Sequence, residues 1–398
     1  MALKSTIRDL EPRGRRVLVR VDFNVPLADA QVSDDTRIRA ALPTIQALRN
    51  AGARVILCSH LGRPKGRVVA ELSLGPVADR LAELLGAPVA FARDCVGQAA
   101  EDAVAALGDG DVVVLENLRF HGEETANDAD FAARLAGLAE IYVNDAFGAA
   151  HRAHASTAGV THHLKPAVAG LLMERELLYL SGVLETPESP FVVLLGGAKI
   201  SGKIEVLTQL LQRADAILVG GGMAFTFLRA QGQSVGGSLV EEDRIETARK
   251  VLAAAEESKC RLVLPTDFIV ADQFANDAKT WEVDSEHIPD GWLGLDIGPD
   301  SVRLFSGEIA AARTIVWNGP MGVFEMENFR QGTMSLAQAV AKASDGGATT
   351  VVGGGDSVAA VNLAGIGPRL SHVSTGGGAS LELLEGKQLP GVASLDDA

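Results

Sequence analysis

Short runs of apolar, largely β-branched residues alternate with longer Ala- and Leu-rich stretches along the whole chain. The short runs have the composition of strands, whereas the longer stretches have the composition of helices. Because the strand-like runs are apolar at nearly every position, they indicate parallel sheets that helices cover on both faces. The pattern therefore predicts an α/β fold.

The predicted strands form two groups along the chain. They are RVLVRVDF, RVILCSH, APVAFA, VVVLEN and IYVNDAF in the first half, and FVVLLGG, AILVGGG, CRLVLP, TIVWNG, TTVVGGG and SHVST in the second. Between strands of the first half, helices are predicted at residues 36–50, 73–86 and 128–139.

The length of 398 residues is sufficient for two domains that each bury a core. The stretch AGLLMERELLYLSGVLE has helical composition and is followed by TPESP, which favours a domain boundary between residues 165 and 190. We therefore predict domains at residues 1–169 and 186–379, joined by an interdomain helix at residues 170–185.

The chain is acidic, with a formal net charge of −15. The charge is uneven, since residues 1–170 hold 19 Lys and Arg against 21 Asp and Glu, and the remainder holds 17 against 30. Of the 19 cations in the first part, 16 are Arg, whose planar fork suits phosphate or carboxylate. The acidic balance and the lack of a basic run argue against nucleic-acid binding.

Two further patterns bear on the cellular environment. The three cysteines, Cys58, Cys95 and Cys260, are far apart and lack metal-ligand spacing, so we predict buried, reduced thiols. No run of about 18 apolar residues indicates a membrane span, and the first residues lack the apolar stretch of a signal peptide. The sequence predicts a soluble cytoplasmic protein with no membrane partner.

Polar residues of the first half follow predicted strands, where ligands of open α/β sheets bind. One such arginine alone is explained by a surface position or a strand-end cap, but several together indicate a site for a small anion. Asp145 is instead predicted to hold a neighbouring arginine in place. The candidate anion-binding residues are Asp22, Asn24, Arg37, His60, Arg63, Arg119 and Arg152.

The second half contains glycine-rich loops instead of arginines. The spacing Gly197-x4-Gly202-Lys203 is that of a phosphate-binding P-loop, but Ile204 stands where such a loop needs Ser or Thr for Mg²⁺. Free N–H groups at a helix N-terminus still attract phosphate. Lys199 and Lys203, four residues apart, are predicted to lie on one face of that helix.

Three more loops carry candidate nucleotide-binding groups. Asp356 in GGGDS is predicted to hold a Mg²⁺ that bridges nucleotide phosphates, although these glycines also suit a plain tight turn. Gly376 and Gly377 offer further N–H donors. In WNGPMGVFE, Glu325 is long enough to accept a hydrogen bond from a ribose hydroxyl.

Two phosphate-binding regions on two domains suggest a phosphoryl transferase, and two other classes of protein remain as alternatives. A nicotinamide-dependent dehydrogenase would need G-x-G-x-x-G after a strand, with an acidic residue about 20 positions later. The glycine triplets do not supply that pattern in the right place. A non-catalytic two-lobed receptor for anions or nucleotides would not need two lysines and an aspartate beside glycine-rich loops.

The motifs, in this order, resemble those of the phosphoglycerate kinase family. They are RVDFNVP, SHLGRP, LENLRF, DAFGAAHRAHAS, GGAK-x3-K, WNGPMGVFE, GGGDS and STGGGASLELLEGK, and they span residues 20 to 387. The resemblance implies two Rossmann-like lobes joined by a hinge helix, with residues 380–398 packing back onto the first lobe. It also implies a cytoplasmic monomer that, with Mg²⁺, reversibly converts 1,3-bisphosphoglycerate and ADP into 3-phosphoglycerate and ATP in glycolysis and gluconeogenesis.

The resemblance also assigns roles to individual residues. It places 3-phosphoglycerate at the seven candidate anion-binding residues. It assigns the nucleotide to Lys199, Lys203, Gly294, Asn318, Glu325, Gly354, Gly355, Asp356 and Ser357, with Asp356 next to Mg²⁺.

The implied catalytic residues are Arg37, Lys203, Gly376 and Gly377. Our hypothesis is that Arg37 and Lys203 meet at the transferring phosphoryl group when the lobes close, with the Gly376 and Gly377 amides facing that group. Ser357 departs from the many family members that have Thr, but either hydroxyl can bond a phosphate.

Overall fold

The computed structural model of the chain describes residues 3–398. Backbone contacts divide the chain into two compact units. Unit 1 contains the residues up to Leu178 together with Gln388–Ala398, and unit 2 contains Tyr179–Lys387. The division after Leu178 falls inside a helix at Leu171–Glu185, where the sequence places the interdomain helix. The domain limits at residues 169 and 379 remain predictions.

The strands are short, with two to five residues each. In chain order they are β1 Arg16–Arg20, β2 Leu27–Ala28, β3 Gln31–Val32, β4 Arg54–Cys58, β5 Ala90–Ala92, β6 Val112–Leu115, β7 Ile141–Asn144, β8 Ala167–Ala169, β9 Phe191–Leu195, β10 Ala216–Val219, β11 Arg261–Val263, β12 Asp267–Ala271, β13 Thr280–Asp284, β14 Leu293–Ile297, β15 Thr314–Asn318, β16 Thr349–Gly353 and β17 His372–Val373.

The α-helices alternate with these strands. They are α1 Thr36–Asn50, α2 Gly75–Leu85, α3 Gln98–Ala105, α4 Gly122–Ala126, α5 Ala129–Ala136, α6 Leu171–Glu185, α7 Ile204–Leu210, α8 Met223–Ala230, α9 Ile245–Glu257, α10 Pro299–Ala311, α11 Gln331–Asp345, α12 Gly355–Ala364, α13 Gly378–Leu384 and α14 Pro390–Ala393.

Each unit is built on one six-stranded sheet whose neighbouring strands all run parallel. The order is β5-β6-β4-β1-β7-β8 in unit 1 and β11-β10-β9-β15-β16-β17 in unit 2. Strands β1, β6, β7, β9, β10 and β15 are buried at nearly every position, as expected for sheets covered on both faces. The predicted α/β fold with two parallel sheets is confirmed.

Local sequence signals explain where several helices begin and end. Asp128 precedes α5, and its side chain accepts a hydrogen bond from the Phe131 N–H at 2.9 Å, which satisfies one free donor of the first turn. Helix α2 ends at Gly86, which adopts a left-handed conformation with φ of 61°. Helices α5 and α2 are a few residues shorter than the helices predicted at residues 128–139 and 73–86.

A small antiparallel sheet in unit 2, in the order β13-β12-β14, was not predicted from the sequence. Strand β13 is largely exposed, and Trp281 within it is 59% exposed. Its sequence, TWEVD, lacks the continuous apolar run of the parallel strands, so the pattern gave no signal for it. The sheet matters because β14 carries Gly294, one of the candidate nucleotide-binding residues.

The prediction that Asp145 holds an arginine is wrong. In the described chain its carboxylate accepts the N–H groups of Leu172 and Met173, at 2.9 and 3.2 Å, at the start of α6. Burial raises the pKa of Asp145 to about 7. Asp145 follows β7 and lies at the N-terminus of α6. The first N–H groups of a helix have no partner within the helix, and the Asp145 carboxylate supplies one.

The three cysteines are free and buried. Among residues 3–398, no helix is long and apolar enough to cross a membrane.

The last residues of the chain pack within unit 1. Lys4 and Asp397 form an antiparallel bridge, and the Asn144 side chain donates to the Gly391 carbonyl at 3.0 Å. Leu389 and Val392 are 0% and 2% exposed. This segment therefore contributes apolar contacts to the core of unit 1.

We expect Leu389→Ala to lower the free energy of unfolding by about 2–5 kcal/mol, because the truncation leaves a cavity at a buried site. Urea unfolding followed by circular dichroism measures the change. Leu3→Ala is the matched control, since Leu3 lies in the same unit but is 82% exposed. Equal small losses in both variants would contradict the packing of Leu389.

Candidate active site

The candidate residues of unit 1 lie beyond the carboxyl ends of neighbouring strands. Asp22 follows β1, His60 follows β4, Arg119 lies in a short 3-10 turn after β6, and Arg152 comes after β7. These four strands are adjacent in the order β6-β4-β1-β7. Since parallel strands end at the same edge of the sheet, the fold brings together residues separated by up to 130 positions.

A cavity of about 430 Å³ opens at this edge of unit 1. Its lining includes three of the predicted anion-binding residues, Arg63, Arg119 and Arg152. The complete set of lining residues is Arg63, Lys65, Gly66, Arg119, Thr125, Arg152 and His154. We call Arg63, Arg119 and Arg152, together with Arg37, the arginine cluster.

Hydrogen bonds connect the other predicted residues to this cavity. Arg37 Nη1 donates to the Asp22 carboxylate at 3.1 Å and to the Asn24 carbonyl at 3.2 Å. The Asn24 side-chain oxygen accepts the Gly62 N–H at 2.9 Å, and the Gly62 carbonyl accepts Arg119 Nη1 at 2.8 Å. Asp22, Asn24 and Arg37 therefore belong to one continuous network with Arg119.

The electrostatics of the cavity favour an anion. Burial, followed by the charges of Arg20 and Arg152, lowers the pKa of Arg119 to about 10. Burial and the same kind of repulsion lower the pKa of His154 to about 4 and that of His60 well below its usual value. Among the described residues, Arg119 Nε is buried without a hydrogen-bond partner. A bound phosphate would satisfy that donor and relieve the repulsion.

Four residues that line the cavity were not among the candidates selected from the sequence. They are Lys65, Gly66, Thr125 and His154. Lys65 lies two residues after Arg63 in the turn sequence GRPKG, so the motif itself offered a signal. Thr125 in the short helix α4 offered none, because only the packing of that helix places it at the cavity.

In unit 2, the ends of the adjacent strands β9, β15 and β16 bring another set of candidates together. Lys203 Nζ donates to the Asn318 carbonyl at 2.7 Å and also to the Asn318 side-chain oxygen. Burial lowers the pKa of Lys203 to about 8, although the charge of Asp356 acts in the opposite direction. Because burial disfavours the charged form of Lys203, a bound anion would stabilise that charge.

Lys199 and Lys203 do not lie on one helical face, so that prediction is wrong. Helix α7 begins only at Ile204, and Lys203 is the residue that precedes it. Lys199 is exposed in the turn between β9 and α7. The glycine-rich segment after β9 forms turns before the helix starts, so the two lysines do not share a helix.

The GGGDS loop begins helix α12. Gly354 has φ of 94°, a conformation that favours glycine, and an added Cβ would lie 3.0 Å from the Asn318 side-chain nitrogen. The Ser357 hydroxyl accepts the Gly319 N–H at 2.5 Å, while Gly355 and Asp356 are exposed in the first turn. We call Lys203, Asn318, Gly354 and Ser357 the glycine-loop site.

The remaining candidates of unit 2 lie on neighbouring segments. Gly294 in β14 faces the Phe225 ring so closely that a Cβ would collide with it. The loop that carries exposed Glu325 is joined to β14 by a hydrogen bond from the Val323 N–H to the Leu295 carbonyl at 2.8 Å. The Phe225 ring fills the space where a side chain at position 294 would lie, so β14 requires glycine there.

The segment before helix α13 carries the last two candidates. Gly377 has φ of 52° and directly precedes the helix. The Gly376 N–H already donates to the Ser374 hydroxyl at 3.1 Å. A ligand that takes the Gly376 amide would therefore displace this internal hydrogen bond.

The residues around Asp356 fit a magnesium ion that is held mainly by its ligand. Within residues 3–398, the side chains that cluster as possible metal ligands are Asp94, Cys95 and His121, a set that does not include Asp356. Asp356 thus offers one exposed carboxylate at a helix N-terminus. Mg²⁺ commonly uses one or two carboxylates, with phosphate oxygens and waters as its other ligands.

Two solved structures share this architecture. The structure of phosphoglycerate kinase from Coxiella burnetii matches with a TM-score of 0.89 and 42% identity, and covers 98% of both chains. Phosphoglycerate kinase from Pyrococcus horikoshii matches with a TM-score of 0.84 and 33% identity, over 98% of both chains. At 42% and 33% identity, these two proteins resemble this chain in sequence as well as in fold.

The sequence comparisons agree with the structural ones. A phosphoglycerate kinase from a Synechococcus strain is 60% identical over 394 residues, which cover 99% of this chain and 98% of that protein. The phosphoglycerate kinase of Gloeothece citriformis is 57% identical over 399 residues, covering 99% and 100%. The family model described as phosphoglycerate kinase matches residues 7–387. With the match extending over nearly the whole chain, this protein belongs to the phosphoglycerate kinase family.

Proposed function

We propose that the arginine cluster of unit 1 holds the phosphoglycerate substrate, and that the glycine-loop site of unit 2 holds the nucleotide. The chain is a phosphotransferase that uses a carboxyl group as acceptor, and its family reaction interconverts 1,3-bisphosphoglycerate plus ADP with 3-phosphoglycerate plus ATP. The observation that carries our assignment is the buried Arg119 guanidinium, whose Nε lacks a protein partner among residues 3–398.

Each proposed contact follows from the charge of its ligand. The phosphate of 3-phosphoglycerate is held by forks of Arg63, Arg119 and Arg152, which can each donate two hydrogen bonds to one anion. Asp22, Asn24 and His60 bond the hydroxyl and carboxylate end of the substrate. Arg37 is the arginine closest in the network to Asp22 and Asn24, and it stabilises charge on the transferring group.

The proposed nucleotide contacts combine backbone amides with one cation. The N–H groups that begin α12, at Gly354 to Ser357, face the phosphates, and Lys203 adds a charge. Gly294 and Glu325 take the base and the ribose, Lys199 and Asn318 complete the phosphate side, and Gly376 and Gly377 donate to the transferring group. Asp356 would hold Mg²⁺, which when bound neutralises charge on the phosphate oxygens.

The reaction needs no general base from the protein. The attacking group is a carboxylate in one direction and an ADP phosphate oxygen in the other, and both are already ionised at neutral pH. Catalysis therefore depends on alignment and on stabilisation of charge in the transition state. A cluster of permanently charged guanidinium groups is suited to that task.

A coupled assay with ATP, Mg²⁺ and 3-phosphoglycerate tests the proposed reaction, with reduction of the acyl phosphate product followed as loss of NADH. We expect turnover that stops when 3-phosphoglycerate is omitted. Nucleotide binding without turnover, under conditions in which the coupling enzyme is active, would instead support the non-catalytic receptor.

We expect Arg37→Ala to lower kcat by at least about 100-fold, since arginine contributions to phosphoryl transfer reach about 10³–10⁵. Steady-state kinetics with both substrates saturating measures the loss. Arg39→Ala is the matched control, because Arg39 lies on the same helix but is exposed and paired with Asp35 at 2.7 Å. A loss below tenfold in the Arg37 variant would refute its assigned role.

Lys203 predicts a pH dependence of nucleotide affinity. Because its pKa is lowered to about 8, the free protein loses this charge as the pH rises above 8. Phosphate favours the protonated lysine, so binding must then take up a proton, and affinity falls by up to about tenfold per pH unit. Titrations with ATP at three pH values between 7.5 and 9.5 measure the slope.

Two variants separate the contribution of Lys203 from other effects of pH. Lys203→Arg stays protonated over this range and should flatten the dependence. Lys199→Arg changes an exposed lysine nearby and should leave the slope of the wild type. Equal slopes in the wild type and the Lys203 variant would assign the pH dependence to another group.

We also propose that transfer occurs in a closed complex, because an acyl phosphate left open to water would hydrolyse. Binding of both substrates is then expected to compact the protein more than either substrate does alone. Small-angle scattering measures the radius of gyration in the four states. An identical radius in all of them would argue against closure.

A further inference from the structure

A buried guanidinium lies behind the arginine cluster of unit 1. Arg20, the last residue of β1, is 0% exposed, so it cannot contact a ligand in the cavity directly. Its Nε donates to the Ser156 hydroxyl at 2.8 Å, and its Nη2 lies 3.0 Å from His60 Nδ1. Arg20 therefore connects a candidate substrate-binding histidine to a serine of the loop after β7.

Ser156 connects Arg20 in turn to a buried carboxylate. The Ser156 hydroxyl donates to Glu124 Oε1 at 2.7 Å, and the Ser156 N–H donates to Glu124 Oε2 at 3.0 Å. Both residues are 0% exposed. Since this hydroxyl accepts from Arg20 and donates to Glu124, its single proton has only one orientation that satisfies both partners.

The network determines which nitrogen of His60 carries hydrogen. An arginine side chain donates hydrogen bonds and accepts none, so His60 Nδ1 must be the acceptor of the Arg20 N–H. The ring is then neutral with its hydrogen on Nε2. Burial and the charges of Arg20, Arg119 and Arg37, with His154 also nearby, hold the pKa of His60 well below its usual value, in agreement with a neutral ring.

We propose that Glu124, Ser156 and Arg20 are positioning residues that hold His60 as an Nε2–H donor for an oxygen of 3-phosphoglycerate. The inference rests on the proposed function of the arginine cluster. In the opposite tautomer, Nε2 would present a lone pair to an anionic substrate and repel it. The network thus allows a neutral histidine to contribute a hydrogen-bond donor among cations.

The buried carboxylate has a second consequence for the cluster. Glu124 Oε1 lies 3.7 Å from His154 Nδ1, and its charge acts favourably on Arg119. Without Glu124, Arg20 would be a buried cation next to other cations, and such an unbalanced charge is strongly unfavourable. Glu124 therefore keeps Arg20 in place while the arginine cluster remains available to the ligand.

The state of His60 can be measured without any enzymatic activity. Long-range ¹H–¹⁵N correlation spectra of the wild-type protein at neutral pH distinguish the two neutral tautomers and the imidazolium, and His60→Gln identifies the signal. We expect the neutral Nε2–H form. An Nδ1–H form or an imidazolium would overturn the proposal, whether or not the protein turns over its substrates.

A substitution then tests the contribution of the network. Ser156→Ala removes the link between Glu124 and Arg20, and we expect a mixture of His60 tautomers and a KM for 3-phosphoglycerate raised about fivefold, the effect of about one hydrogen bond. The KM for ATP should stay within about twofold, as for a folded protein with an intact unit 2. Ser33→Ala, an exposed serine of the same unit, is the matched control.

Glu124→Gln provides a second variant with nearly the same shape, and Glu123→Gln, an exposed neighbour on α4, is its control. We expect the tautomer mixture and the raised KM for 3-phosphoglycerate in the Glu124 variant only. An unchanged tautomer in both network variants would overturn the proposal, even if the KM rises. Absence of turnover in the wild type, with the expected tautomer present, would instead refute the proposed function.

Discussion

In each unit, hydrogen bonding between parallel strands places all the carboxyl ends of the central sheet along one edge. The strands themselves are buried on both faces, so polar side chains find room and hydrogen-bond partners mainly where the strands end. Asp22, His60 and Arg119 meet in unit 1 for this reason, as do Lys203 and Asn318 in unit 2. The chemistry of both sites depends on this constraint.

In the proposed function, the two units use different means to attract phosphate. In unit 1, burial and the charges of Arg20 and Arg152 lower the pKa of Arg119, which favours binding of an anion there. Unit 2 relies on glycine backbone at the start of α12 and a single lysine with a lowered pKa. Arginine forks suit a small substrate that must be oriented, whereas backbone amides follow the shape of a polyphosphate.

Much of this arrangement could be predicted from the chain alone, because the motifs coincide with strand ends. The arginines after β4, β6 and β7 lie where the alternation of apolar runs and polar ends places them. The errors concern residues whose partners are set by packing or loop geometry. Lys199 and Lys203 do not share a helix because α7 begins only at Ile204, and Asp145 binds the start of α6 instead of an arginine.

By itself, the sequence determined the α/β class, the two groups of strands and the candidate phosphate-binding residues, since these follow from local composition and spacing. Only the tertiary structure decided how Glu124, Ser156, Arg20 and His60 are connected. These residues are up to 136 positions apart along the chain. Their hydrogen bonds form because the strands pair in a particular order, and that order is a property of the packed sheet rather than of any local segment.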